Sequence, residues 1–408
     1  MVKNAFILYL YCTFVLMTAC GGQSNNSEPE DNLPPDNSEG FTSNMRLFGG
    51  GLQMCGISQD KQVYCWGKDN SGEIGSPKSF PENNIYEPTS TLSPLKVNGL
   101  PNIETMDADY SRSCAVDDSG LVWCWGSNFV SGISNYLPEV VPQLNSVEQI
   151  NASQISICAS NQDTELLCWG YNKYQHLNVA DNSELVETPS LFNWDQLEKS
   201  NLLAMASDSS CLLTSNGIPY CLGYNYAGGL GTGSDELHIT EPQAVIISEG
   251  QRFSQISAGF NHFCALDTDK NAYCWGYNLD VGQPINTPTK VAGLESIVKI
   301  TSFYDGSCAL TEAGEVWCWG ENDSGVLGYK SPHNSYWKNQ AVQIELPGKA
   351  TDIGSAEYFN CAVGDESFQE DIYCWGSIAS EHYLSTATDQ PARENYHPIP
   401  LTPYTIEE

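Results

Sequence analysis

Cysteine placement constrains this chain more than any other feature. Beyond Cys12 and Cys20, fourteen cysteines fall into seven pairs: Cys55 with Cys65, Cys114 with Cys124, Cys158 with Cys168, Cys211 with Cys221, Cys264 with Cys274, Cys308 with Cys318, and Cys361 with Cys374. Nine residues separate the members of six pairs, and twelve separate those of the last. The first members lie 59, 44, 53, 53, 44 and 53 residues apart. A period near 50 residues built from short strands marks a propeller-like array. Within each copy, nine intervening residues divide into three cross-strand pairs and a three-residue turn. Gly56 then faces Tyr64, Ile57 faces Val63, Ser58 faces Gln62, and Gln59-Asp60-Lys61 forms the tip. The two cysteines stand opposite each other on an antiparallel hairpin, close enough to bond. Other tips carry turn residues, as in Asp117-Asp118-Ser119-Gly120 and Ser215-Asn216-Gly217. The twelve-residue copy lengthens only its turn. Zinc binding is the competing reading, but it favours spacings of two to four residues and needs two pairs to converge.

The second cysteine is followed by Trp-Gly in six copies and by Leu222-Gly223 in the fourth. Repeated tryptophans could form a sugar-binding ladder, but their fixed place beside Cys and Gly points to packing between repeats. The stretch Gly259-Phe260-Asn261-His262-Phe263-Cys264-Ala265-Leu266, followed by Tyr273-Cys274-Trp275-Gly276-Tyr277-Asn278, closely resembles the repeat of the regulator-of-chromosome-condensation family. The resemblance recurs seven times and covers roughly Met45 to Pro403. It implies an all-β, seven-bladed β-propeller, here with one hairpin disulfide per blade. The paired cysteines resemble a secreted bacterial branch of that family. Between hairpins lies a Pro-led strand, such as Thr287-Pro288-Thr289-Lys290-Val291, and the last of these, from His397 to Leu401, has no hairpin after it. That C-terminal strand is expected to complete the first blade and close the ring.

The N-terminus implies a compartment. Ala5 to Ala19 is a 15-residue apolar run, short for a membrane span and suited to a signal-peptide core. Leu16-Met17-Thr18-Ala19-Cys20 resembles a bacterial lipobox, so residues 1–19 read as a lipoprotein signal peptide and Cys20 as the lipidated residue. An ordinary signal peptide cut near Ala19 is the alternative. Residues 20–42 are polar, acidic and rich in Pro and Gly, a flexible tether ahead of a propeller spanning residues 43–408. Gly21 in place of Asp implies the outer membrane, with the protein facing the periplasm or the cell surface. Contact with the membrane is expected through the lipid anchor alone.

Charge narrows the function. The chain of 408 residues carries 50 acidic and 17 basic residues, a net charge of −33. Nucleic-acid binding needs a basic footprint and is disfavoured. Catalytic signatures are absent: the six histidines are scattered, and no phosphate loop or nucleophile elbow is present. His262 occupies the family's repeat histidine position and reads as a hydrogen-bonded structural residue. Asp267-Thr268-Asp269-Lys270-Asn271 faintly matches a calcium loop but lacks the Gly and the distal Glu, so it reads as a hairpin tip. No catalytic residue, cofactor or metal is expected. The leading expectation is a surface-tethered, non-enzymatic protein-interaction module, acting as a monomer on an unknown protein with a basic patch. Tyr86, Tyr174 and Trp337, on irregular aromatic insertions, are the candidate contacts. Family analogy offers guanyl-nucleotide exchange, which the acidic, lipidated chain disfavours. A propeller-fold hydrolase or lyase, or a glycan-binding protein, is a further alternative.

Overall fold

The computed structural model describes residues 45–75, 90–127, 134–162, 165–193, 202–278, 283–322, 324–329, 337–365, 368, 372–377 and 395–400. The expected signal peptide, tether and Cys20 lie outside the described residues. Among the described residues, twenty-eight strands form seven four-stranded antiparallel sheets, each built from four consecutive strands. We name the strands of a blade a to d. In blade 1 they are Arg46–Gly49, Gln53–Ile57, Val63–Lys68 and Ser90–Lys96. The inner a strands of blades 2 to 7 are Ile103–Ala108, Val147–Ala152, Leu202–Met205, Phe253–Ala258, Ile297–Phe303 and Ala350–Ser355. They stand side by side around a central channel.

Each hairpin of strands b and c has the register that the cysteine spacing dictates. In blade 1, Cys55 pairs with Cys65, Gly56 with Tyr64 and Ile57 with Val63, and Ser58 N–H donates to the Gln62 carbonyl at 2.9 Å. The same cross-strand register sets Cys114 opposite Cys124, Cys158 opposite Cys168 and Cys211 opposite Cys221. It likewise sets Cys264 opposite Cys274, Cys308 opposite Cys318 and Cys361 opposite Cys374. Each of these seven facing pairs is joined by a disulfide, with Cα atoms 4.1–4.2 Å apart. Cys65, Cys168, Cys221, Cys318 and Cys374 are fully buried, whereas Cys124 and Cys274 are only partly so. Blade 7 keeps the register, Val363 opposite Ile372, and places its extra residues in the turn. The Asp267 carboxylate accepts the Asp269 and Asn271 backbone N–H groups at 3.0 and 2.8 Å, so its oxygens serve the turn. This is the hairpin tip expected of that segment.

The Trp-Gly pair has a mechanical explanation. The register of strand c against strand d slips between Cys and Gly in every blade, which leaves the residue between them, Trp in six blades and Leu222 in blade 4, at a bulge. The seven glycines have φ between 98° and 115°. A Cβ on any of them would sit 2.4–2.6 Å from a carbonyl oxygen in the a–b turn of the same blade. Only glycine accepts both constraints. The bulge aims the indole at the preceding blade. Trp125 Nε1 donates to the Glu73 carbonyl of blade 1 at 2.8 Å, and Trp375 Nε1 donates to the Val326 carbonyl of blade 6 at 2.8 Å. Trp66, Trp125, Trp275 and Trp375 are buried, as inter-blade packing requires.

The loop that receives the indole is held by a polar residue just after strand c. Asp69, Asn172, Asn225 and Asn322 each accept, through a side-chain oxygen, the N–H of the residue five places on, at 3.0, 3.0, 3.0 and 2.9 Å. That residue is Ile74, Leu177, Leu230 or Leu327, each buried in the inter-blade core. Blade 4 has Leu222 where Trp stands elsewhere, and its neighbour compensates. His176 occupies the indole-accepting position of the blade 3 loop, fully buried, with its Cβ 2.8 Å from where a Gly223 Cβ would lie.

Ring closure differs from the expectation. The C-terminal strand Asn395–Pro400 pairs with Ile372–Gly376 and completes blade 7, not blade 1. Blade 1 takes its outer strand from Ser90–Lys96. The ring closes by packing instead. Leu47 N–H donates to Asp352 Oδ2 at 2.8 Å, and Glu357 N–H donates to the Gly51 carbonyl at 2.7 Å. Met45, Leu47, Met54, Trp66, Phe359 and Val363 fill the seam between blades 1 and 7. Pro-led strands are the outermost d strands, where a missing N–H faces away from the ladder. Truncation before Asn395 should therefore remove one edge strand and leave the ring closed. We expect a melting point lowered by a few degrees, with far-UV and tryptophan signals retained. Loss of the cooperative transition would show that blade 7 cannot stand without its edge.

Candidate binding face

Alternation of strand direction gives the propeller two unlike faces. Strands a and c run the same way, so the a–b turns and c–d loops share one face, while the b–c tips and d–a linkers share the other. Hydrogen bonds tie the first two together: Lys68, Ser127, Tyr171, Tyr224, Glu321 and Ser377, each just after the bulge glycine, donate to a–b turn carbonyls at 2.8–3.1 Å.

Seven residues ring the channel mouth on this face, one per blade. They are Gly51, Tyr110, Gln154, Ser207, Phe260, Tyr304 and Glu357, each four places before the first cysteine of its pair. The channel behind them encloses about 380 Å³. Phe260 and Tyr304 pack with ring centroids 4.6 Å apart, and Tyr304 lies 6.5 Å from Tyr358. Gly51 leaves space that Tyr110 fills: a Cβ there would fall 2.3 Å from Tyr110 Cα. Tyr110 is 42% exposed at the rim. The aromatic arc thus runs through Phe260, Tyr304, Tyr358 and Tyr110, with Glu357 inside it.

The charge at this mouth is negative. Burial pushes the Glu357 carboxyl up, opposed by a hydrogen bond from Tyr358 and by Lys68. The Tyr304 phenol is raised by burial first and then by Asp305, Glu357 and Glu321. Burial raises Asp208 as well, with Lys173 opposing. At the opposite mouth the charges are mixed. Lys299 and Asp352 pair at 2.6 Å, beside Arg46, Glu104 and Glu148.

The expected contact residues meet different fates. Tyr86 lies outside the described residues. Trp337 opens the d strand of blade 6, paired with Glu321; its side chain is outside the described set. Tyr174 is half-buried on the c–d face, stacked on Tyr224 at 4.8 Å and on His238 at 5.2 Å, with Lys173 over its ring. Tyr226 extends this row at 6.1 Å from Tyr224 and is 46% exposed. Lys173 thus links the Tyr174 row to Asp208 in the a–b turn beside the mouth. The mouth residues themselves were not singled out by the sequence, although their fixed offset from cysteine was available there. Among the described residues, no group of three His, Cys, Asp or Glu could hold a metal ion.

Polar side-chain contacts stiffen the face. Arg112 Nε and Nη2 converge on Asp109 Oδ2 at 3.1 and 2.5 Å, both side chains buried. Gln53 of blade 1 donates to the carbonyls of Asp109 and Arg112 at 2.8 and 3.2 Å. His262 Nε2 lies 3.0 Å from Ser307 Oγ of blade 6, which gives the repeat histidine the structural role expected of it. His176, in the c–d loop of blade 3, lies with Nε2 3.0 Å from Ser156 Oγ of its own blade.

Comparison with known proteins places these features in a family. The regulator of chromosome condensation (RCC1) repeat matches residues 216–266, 253–283 and 297–326. The Ultraviolet-B receptor UVR8 of Arabidopsis thaliana is 26% identical over 283 residues, 65% of this chain and 62% of that protein. The mitochondrial RCC1 domain-containing protein RUG3 of the same plant is 27% identical, over 68% of this chain and 65% of its own length. The chain thus spans somewhat under two-thirds of these relatives. Among solved structures, Prp20p of Saccharomyces cerevisiae superposes with a TM-score of 0.67 at 18% identity, covering 79% of this chain and 83% of that one. Human WBSCR16 gives 0.67 at 16% identity, covering 79% and 88%. At such identities the structures share the fold.

Arg112→Leu should strand the Asp109 charge and cost about 3–5 kcal/mol. The double variant with Asp109→Leu should recover part of that loss, as read from denaturant midpoints.

His176 sets a pH dependence. Burial pushes its imidazole down to about 4, from an ordinary value of 6.5. The fold therefore favours the neutral ring. That contribution is complete above pH 6.5 and is lost as pH falls toward 4. At pH 5 the loss should be about 2 kcal/mol. Burial raises Glu73 and Asp107 to about 7, and they work in the opposite sense, losing stability as pH rises between about 4 and 7. The measurement is accordingly a difference: wild type and His176→Gln compared at pH 7 and pH 5, with the pH penalty about 2 kcal/mol smaller in the variant.

Proposed function

We propose that this chain, which belongs to the regulator of chromosome condensation repeat family, is a non-enzymatic protein-interaction module tethered to a bacterial outer membrane through lipid on Cys20. Propellers of this family often mediate protein interaction. The observation that supports the reading most is the segregation of surface chemistry. Aromatic rings and carboxylates gather on the face made by a–b turns and c–d loops, around the channel mouth. Rigid aromatic side chains set on fixed turns make good contact anchors, because little rotamer entropy is lost on binding. The negative field would steer a partner bearing a basic patch. The N-terminal Leu16-Met17-Thr18-Ala19-Cys20 supports the tether.

The test uses full-length protein in a Gram-negative host. Cys20→Ala should move it from the membrane to the soluble fraction. Cross-linked capture should then recover a discrete protein partner. Its association rate should fall about tenfold between low and high salt, as the screening length contracts from about 10 Å at 0.1 M. Alanine at Tyr86, Tyr174 or Trp337 should weaken capture. Rates indifferent to salt, together with affinities indifferent to all three substitutions, would remove this face as the contact surface.

A further inference from the structure

The interaction reading leaves one group at the channel mouth without a role. Glu357 is only 8% exposed, and its Oε2 has no hydrogen-bond partner. Its backbone is fixed by the N–H bond to Gly51, and the Tyr358 hydroxyl hydrogen-bonds to its carboxylate. Lys68 acts on it electrostatically but forms no ion pair with it. A buried carboxylate with a free oxygen normally costs stability unless something satisfies it. This one lines an open channel mouth, so the satisfying group can come from outside.

The surroundings specify the group. Around the rim, Glu357 lies between Gly51 of blade 1 and Tyr304 of blade 6. Because Gly51 has no side chain, Tyr110 of blade 2 closes over it and is the next ring that an entering molecule meets. Glu357 is therefore flanked by a phenol ring on each side, with Phe260 extending the arc at 4.6 Å from Tyr304. Aromatic faces and a carboxylate both attract a positive charge, while the rings also accept the alkyl stem behind it. An anion would meet Glu357, Asp305 and Glu321. A neutral apolar group would leave the Glu357 oxygen unsatisfied.

We propose that the channel mouth receives one basic side chain of the protein partner, its ammonium or guanidinium group entering between Tyr110 and Tyr304 to pair with the Glu357 carboxylate. This rests on the interaction reading for the source of the side chain, but the pocket can be tested without the partner. Calorimetric titration of the full chain with N-acetyl-lysine amide should show saturable binding. N-acetyl-norleucine amide, which keeps the stem and loses the charge, should bind at least about tenfold more weakly. Glu357→Gln retains an acceptor for Tyr358 and should weaken lysine-amide binding about tenfold with an unchanged melting transition. Tyr110→Ala, at the exposed rim, supplies an independent variant and should weaken it about threefold. Equal binding of the two probes, or lysine-amide binding indifferent to both substitutions, would overturn the inference. Partner capture that is equally strong in Glu357→Gln would also overturn it, while leaving the interaction module standing. Binding of the lysine probe by a protein that captures no partner would uphold the pocket and reject the module.

Discussion

Every blade depends on one close approach: the glycine two places after the second cysteine, pressed against the a–b turn carbonyl of its own blade. No side chain fits there, and the backbone must hold a positive φ. The approach fixes the bulge, and in the six blades that carry tryptophan the bulge aims the indole, which reaches the preceding blade. Where the indole finds a loop carbonyl, as Trp125 and Trp375 do, burial and hydrogen bonding agree. The loop is itself shaped by the Asn or Asp that caps it. Position along the chain thus becomes position around the ring through short-range contacts repeated seven times.

Much of this was legible. Nine residues between cysteines specify a hairpin register with little freedom, and the structure has that register from Cys55–Cys65 through Cys308–Cys318, with Cys361–Cys374 differing only in its longer turn. Tryptophan beside Cys and Gly reads correctly as core. What the repeat could not specify is its own phase: a periodic pattern can be cut at any point, so the C-terminal Pro-led strand could belong to the first blade or the last. The choice was made by pairing Ile372–Gly376 with Asn395–Pro400, the same contact between strands c and d that the other six blades make.

The candidate site was harder to see for a related reason. Residues four places before each first cysteine vary from Gly51 to Glu357, and variation inside a repeat reads as noise. Seven such positions become neighbours only when the ring closes. The sequence directed attention to long insertions instead, where Tyr174 does join an aromatic row, though packed partly against Tyr224 and His238. His176 was similarly opaque. Its place beside Leu222 makes sense as a paired departure from the repeat, histidine supplied where the next blade lacks its indole.

The disulfides have a consequence for how the chain matures. Each bridge joins cysteines ten residues apart, or thirteen in blade 7, and both belong to one hairpin. As the chain emerges N-terminus first, a hairpin's second thiol follows its first after about a dozen residues, well before the next repeat's cysteines arrive. Native partners therefore meet at high effective concentration, and mispairing between repeats must compete with an event already complete. Because every blade is made of four consecutive strands, no blade waits for the other end of the chain to supply an edge. The ring can be oxidised and assembled in the order in which it emerges, with the seam between blades 1 and 7 as its final step.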